Sequence, residues 1–211
     1  NKSTYSIFRA EECLGEIKLN VPGEHNVLNS LAAVVLGLEM GLSFNVIQKG
    51  IYTYKGVRRR FDIKSTFNDI MVVDDYAHHP TEVKATLESA KAGWKRRIIA
   101  VFQPHLYSRT REFFREFSSS LELADIVFIT DIYPAREKSI PGVTSKLIYD
   151  ILIQKMKGHC FLVPDLDDLE SMLDEVIEPG DMLITMGAGN IWRYCDSYSE
   201  HLNSILEEVE G

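Results

Sequence analysis

Cysteine is scarce, with only Cys13, Cys160 and Cys195 in 211 residues. Their odd number, wide spacing and lack of a C-x-x-C pair disfavour a disulfide scaffold or a structural zinc site and favour a reducing compartment. Net basic charge is also missing. The 23 Lys and Arg against 31 Asp and Glu leave a formal charge of -8. Phosphate-backbone binding needs a net basic face, so no nucleic-acid partner is expected. No apolar run is long: VLNSLAAVVLGLEMGL, from Val27, falls short of the ~20 residues of a spanning helix and contains Asn29 and Glu39, so no membrane partner is expected. Two catalytic signatures are absent, the G-x-S-x-G elbow of serine hydrolases and the G-x-x-x-x-G-K-[ST] phosphate loop. The chain starts at Asn1, without a methionine and in what reads as mid-strand, which suggests a piece of a longer protein.

The 45% apolar content suits a sizeable core. TYSIF and LGEIKLNV alternate like a strand pair, and apolar residues then recur at helical spacing from His25 to Met40, ended by Gly41. Ser43 suits the N-cap of a second helix through Val46, Ile47 and Ile51. The segment YKGVRRRF breaks the pattern, placing a domain boundary near Gly56. Next comes a hairpin, RFDIKST and DIMVVDD, turning at Phe67, Asn68 and Asp69. Beyond it the strands RIIAVF, DIVFIT, HCFLVP and DMLITM alternate with helices beginning near Pro80, Tyr107, Val143, Asp165 and Asn190. This order predicts an α/β fold, a mostly parallel Rossmann-like sheet with helices on both faces and the hairpin strand as an antiparallel edge.

In such sheets ligands bind beyond the carboxyl ends of the strands. Those ends are DDYAHHP, QPHLYSRT, DIYPAREKS and GAGN. In the first, Pro80 suits the first helical position and the helix start favours an anionic group. Asp74, His79 and Pro80 read as turn-shaping residues. A metal site is disfavoured because the adjacent His78 and His79 cannot readily point the same way. His105 and Arg109 form a candidate anion clamp, since the planar guanidinium grips carboxylate or phosphate in two places. Arg111 and Arg115 are expected to pair with Glu112 and Glu116 at the surface. Three consecutive arginines at 58–60 cannot all face one ligand. GAGN lacks the third glycine of a dinucleotide loop, Trp192 standing in its place, and is expected to be a tight turn lining the crevice.

Taken in order, GEHNVLNSLAA, GVRRRF, DDYAHHPTEVKATL, FQPHLYSRTREF, DIYPAREKSIPGV and GAGNI resemble the Mur ligases, the ATP-dependent amide ligases of peptidoglycan precursor synthesis. The resemblance covers essentially the whole chain. It implies that residues 1–56 are the tail end of the central ATP-binding domain and 57–211 the C-terminal ligase domain of a cytoplasmic three-domain enzyme, with the phosphate loop upstream. The implied reaction phosphorylates the carboxylate of UDP-N-acetylmuramate with ATP, and the amine of L-alanine then attacks the acyl phosphate. By motif, His25, Asn26, Asn29 and Asp75 are implied to bind nucleotide, Arg60 to contact phosphate, and His78, His105 and Arg109 to hold L-alanine. Mg2+ would be held mostly by residues outside this chain, and the remaining domains of the same protein are the implied partners. A sister ligase attaching a recycled peptide, a non-catalytic nucleotide-binding module and a metal-dependent hydrolase built on His78 and His79 are the competing readings.

Overall fold

The computed structural model describes residues 3–21 and 23–207, apart from the side chains of His25 and of residues 205–207. It divides into two compact units, one up to Val57 and one from Arg58. In the first, β1 (Ser3–Arg9) and β2 (Glu12–Leu19) pair antiparallel. Ile7, Ile17 and Leu19 of this ribbon pack with Val34 of α1 (Glu24–Glu39) and with Ile47 and Ile51 of α2 (Phe44–Thr53). Gly41, at φ 79°, ends α1. Ser43 stands at the N-cap position of α2, but its side chain makes no capping hydrogen bond, contrary to its expected role. A two-stranded ribbon has too little surface to cover both helices. Phe8, Leu28, Val35, Leu36, Met40 and Val46 accordingly stay exposed.

The second unit opens with a hairpin of β3 (Asp62–Phe67) and β4 (Ile70–Asp75). Its turn residues, Asn68 and Asp69, have φ of 44° and 61°, the two left-handed residues of a turn whose twist matches the flanking strands. The strands β5 (Ile98–Phe102), β6 (Ile126–Thr130), β7 (Cys160–Val163) and β8 (Met182–Met186) complete a sheet of order β3-β4-β8-β5-β6-β7. Only the β3–β4 pairing is antiparallel, so β3 is the antiparallel edge. Strands β4, β5, β6 and β8 are buried at every position, as continuous apolar runs covered on both faces must be.

One face carries α3 (Pro80–Gly93), α4 (Tyr107–Leu121) and α5 (Lys146–Lys155), packed through Val83, Leu87, Phe117, Leu121, Ile148 and Leu152. The other carries α6 (Leu169–Asp174) and α7 (Ile191–Glu207), through Leu169, Leu173, Ile191, Tyr198 and Leu202. Two helix starts differ from the sequence expectation. The turn at Pro141 and Gly142 (φ 78°) delays α5 from Val143 to Lys146. After Asp165 a 3-10 turn, Leu166–Asp168, precedes α6. From β7 the chain returns to insert β8 between β4 and β5. The carboxyl ends of β4, β8 and β5 thus lie side by side, the position of the crevice in doubly wound sheets.

Candidate active site at the carboxyl end of the sheet

Asp74 and Asp75 close β4, and both are buried. Asp74 Oδ2 accepts from Arg59 Nε at 3.1 Å and its Oδ1 from Thr185 Oγ1 at 3.0 Å, while Arg59 Nη2 donates to the carbonyl of Gly187. Burial pushes the Asp74 carboxyl above its ordinary range, and Arg59 and Thr185 pull it back in part. The middle arginine of VRRRF is therefore structural, tying its own segment to the ends of β4 and β8. Asp74, expected merely to shape the turn, is the buried anchor of that tie. Asp75 Oδ2 accepts the Phe61 N–H and its Oδ1 the Ala77 N–H, each at 2.8 Å. Burial raises this carboxyl too, against those two donors. Both oxygens of the residue implied to meet a ribose are thus already engaged by this chain's own backbone.

Arg60 and Arg58 are exposed. Arg60 Nη1 lies 3.7 Å from Glu82 Oε1, and the guanidinium groups of Arg59 and Arg60 lie 4.9 and 5.7 Å from the Tyr76 ring centroid. Pro80 opens α3, and Glu82, three residues after the N-cap His79, accepts the N–H groups of His78 (3.0 Å) and His79 (3.2 Å). Burial pushes the Glu82 carboxyl up, but these donors, with the His78 ring and Arg60 nearby, outweigh it and leave it lowered. The two adjacent histidines diverge: His78 stands edge-on to Tyr76 and His105, and His79 faces Phe113 and Thr81. Among the described residues no group of three His, Cys, Asp or Glu could hold a metal ion.

The loop after β5 brings His105 within 6.0 Å of His78, ring centroid to centroid, and Arg109 Nη1 within 3.3 Å of His105 Nδ1. His78, His105 and Arg109 thus converge. A guanidinium can only donate, so His105 Nδ1 accepts, which leaves the ring neutral with its hydrogen on Nε2. Burial, the charge of Arg109 and then His78 hold His105 below its ordinary pKa, in agreement with that tautomer. Tyr133, from the loop after β6, stacks on His105 at 5.8 Å and 13°, and its carbonyl accepts from Leu106 N–H at 3.0 Å. Leu106 itself sits at φ 73°, a left-handed conformation unusual for a branched residue. Glu137 accepts both the N–H and the hydroxyl of Ser108, latching that second loop onto the start of α4.

GAGN lines the same crevice as a tight turn. Gly187, at φ 152°, leaves no room for a Cβ, which would lie 2.8 Å from the Gln103 carbonyl oxygen. A Cβ at Gly189 would meet Tyr133 Cγ at 2.5 Å and collide with Gln103 Oε1. Gln103 is buried and binds Asn190 Oδ1 and the Ile191 N–H, so it fastens β5 to this turn. The expected pairing of Arg111 and Arg115 with Glu112 and Glu116 does not form among the described residues, and Arg115 instead covers the Phe114 ring at 5.0 Å. In the first unit, Asn26 and Asn29 lie in the first turns of α1, three residues apart and on one face, with Asn29 exposed. The side chain of His25 lies outside the described residues.

Sequence reasoning missed Tyr76, Glu82, Gln103, Tyr133 and Glu137. Of these only Glu82 carried a local signal, its spacing from the helix start.

A sheet of this winding, with its crevice beyond β4 and β5, defines a Rossmann-like ligand-binding domain. The chain belongs to the Mur ligase family: the family model "Mur ligase, glutamate ligase domain" matches residues 59–189. Two relatives named UDP-N-acetylmuramate–L-alanine ligase are similar to it. One, from Geotalea uraniireducens, is 46% identical over 92% of this chain and 42% of its own length. The other, from Geobacter sp. strain M21, is 48% identical over 92% of this chain and 42% of its own length. The crystal structure of a UDP-N-acetylmuramate-alanine ligase from Thermotoga maritima superposes with a TM-score of 0.74 at 31% identity, covering 90% of this chain and 40% of that one. The chain therefore spans about two fifths of the length of the curated relatives it matches.

Proposed function

We propose that this chain is the carboxyl-terminal part of a cytoplasmic, ATP-dependent ligase that joins L-alanine to the carboxylate of UDP-N-acetylmuramate through an acyl phosphate. The observation that carries this reading is the meeting of His78, His105 and Arg109 at one crevice, in a chain whose relatives bear that ligase's name. Arg109 and the Nε2–H of His105 are donors suited to the carboxylate of an amino acid. Arg60, exposed on the same unit, is suited to a phosphoryl group, where fixed cations stabilise developing charge. Asp75 contributes by holding the Phe61 and Ala77 backbone, and any ribose contact uses the remaining lone pairs of its oxygens.

The first unit, up to Val57, holds on this reading the end of the ATP-binding domain, with His25, Asn26 and Asn29 near the nucleotide. Its exposed apolar residues, Leu28, Val35 and Leu36 among them, fit a domain whose larger part lies elsewhere in the protein. Magnesium, when bound, would neutralise phosphate charge. On this reading its ligands lie mostly in the rest of the protein, and the described residues offer no group of three His, Cys, Asp or Glu for it. No helix of the described residues is long and apolar enough to cross a membrane.

The test is phosphate release by the full-length protein, which should require ATP, UDP-N-acetylmuramate and L-alanine together. Arg60→Ala should lower turnover much more than Arg58→Ala. Release independent of L-alanine would overturn the reaction, and equal effects of the two variants would overturn the role of Arg60.

A further inference from the structure

Glu82 lies at the start of α3, where a glutamate three residues past the N-cap ordinarily does no more than cap the helix. Here the same carboxylate does more. Besides the N–H groups of His78 and His79, its Oε2 lies 3.2 Å from His78 Nδ1, and the Tyr76 carbonyl lies 2.9 Å from that same nitrogen. A carbonyl and a carboxylate can only accept, so Nδ1 carries the hydrogen. In the neutral ring Nε2 is then a bare acceptor, on the side of the imidazole away from Glu82. His105 shows the opposite state 6.0 Å away: its Nδ1 accepts from Arg109, and its Nε2 holds the hydrogen. The crevice wall thus presents one imidazole acceptor and, next to it, an imidazole donor and a guanidinium. An amino acid offers the matching pair, an amine that must lose protons and a carboxylate that accepts hydrogen bonds.

We propose that Glu82 is a positioning residue that fixes the tautomer of His78, so that His78 Nε2 takes a proton from the amine attacking the acyl phosphate. This rests on the ligase reading above. The ammonium first loses one proton. The amine nitrogen then forms its bond to the acyl carbon, and the carbonyl π electrons move onto oxygen. His78 Nε2 receives a proton from the nitrogen. As the carbonyl re-forms, the bond from carbon to the phosphate oxygen breaks, and phosphate leaves with the electron pair. Of the two protons lost from the ammonium, one ends on phosphate and one in solvent. The Glu82 carboxylate on Nδ1–H stabilises the transient imidazolium, as an orienting carboxylate does for any histidine base. The same carboxylate faces Arg60 at 3.7 Å.

The experiment uses the full-length protein and two nucleophiles. Hydroxylamine traps the acyl phosphate as a hydroxamate and needs no protein base, whereas L-alanine must be deprotonated. Glu82→Gln retains a side-chain acceptor for the helix start but loses the charge. It should lower L-alanine-dependent amide formation by about tenfold or more relative to hydroxamate formation, a part of the roughly 10²–10⁴-fold that a general base contributes. In a His78→Asn background the same substitution should change that ratio less than about twofold, because a residue acting through His78 has nothing left to act on. If both reactions fall together, or neither falls, or the effects in the two backgrounds add, the proposal is wrong. If the unmutated protein forms neither product, it is the ligase reading that fails.

Discussion

Arg59→Ala should destabilise the second unit by about 3 kcal/mol, although all three arginines at 58–60 look alike in the chain. The substitution removes the 3.1 Å bond from Nε to Asp74, the bond from Nη2 to the Gly187 carbonyl and the cover over the Tyr76 ring. What sets the size is the group left behind. Asp74, 0% exposed, would keep Thr185 Oγ1 as its side-chain partner. Stranding one member of a buried ion pair costs about 3–5 kcal/mol. Arg59 keeps 20% of its side chain in water, which places the expectation at the lower end. For a chain of 211 residues that corresponds to a fall in Tm of about 6–12 °C. Arg58 is exposed, and its removal should cost less than about 0.5 kcal/mol.

The deficit should also depend on pH. Burial holds the Asp74 carboxyl above its ordinary value. A raised acid binds its proton more tightly in the folded than in the unfolded state. Its contribution is therefore full below the unfolded value and lost as pH rises through the folded one. Without Arg59 the folded value lies higher still, so the deficit is largest at neutral pH and narrows as the pH falls toward the carboxylate range. Urea melts followed by circular dichroism at two pH values measure both effects. An Arg59→Ala no less stable than Arg58→Ala, or a deficit that does not narrow in acid, would refute the reasoning.

Two further outcomes test the crevice. Gly189→Ala should cost about 1–3 kcal/mol by overpacking, since its Cβ would enter Tyr133 and Gln103, and should disturb the near-ultraviolet signal of the tyrosine. An unchanged melting temperature would mean that the turn relaxes freely. His105 is held below its ordinary pKa by burial, Arg109 and His78, so its contribution is present above the unfolded value and lost as pH falls through the folded one. Tm should therefore fall as the pH drops below about 6.5, and more steeply than in His105→Gln; parallel curves would remove that account.

The legible parts of this protein were those written in local pattern. Strand-length apolar runs between turn residues marked β4 to β8 of the large sheet, and the turn before β4 marked β3. Asn68-Asp69 marked the hairpin, because few residues accept two left-handed positions in succession. Helix starts at Pro80 and Tyr107 were legible, whereas those of α5 and α6 were displaced by turns whose geometry depends on neighbouring loops. In the crevice, His105 and Arg109 could be nominated because they follow a strand end, and His78 through the family resemblance of its motif.

Their tautomers could not be read in the same way. They depend on which of several partners two to four residues away each ring nitrogen reaches: Arg109 for His105, the Tyr76 carbonyl and Glu82 for His78.

The sequence by itself determined the alternation of strands and helices, the antiparallel edge and the ordered motifs that carry the family resemblance, because periodicity and turn chemistry act over a few residues. Only the tertiary structure decided which of three consecutive arginines pairs with the buried Asp74 and that Asp75 serves the backbone on both oxygens. It also decided that Glu82 faces a histidine as well as a helix end. The first two facts depend on the return of β8 between β4 and β5 and on the hairpin that lays residues 59–61 against the end of β4, contacts no local pattern encodes.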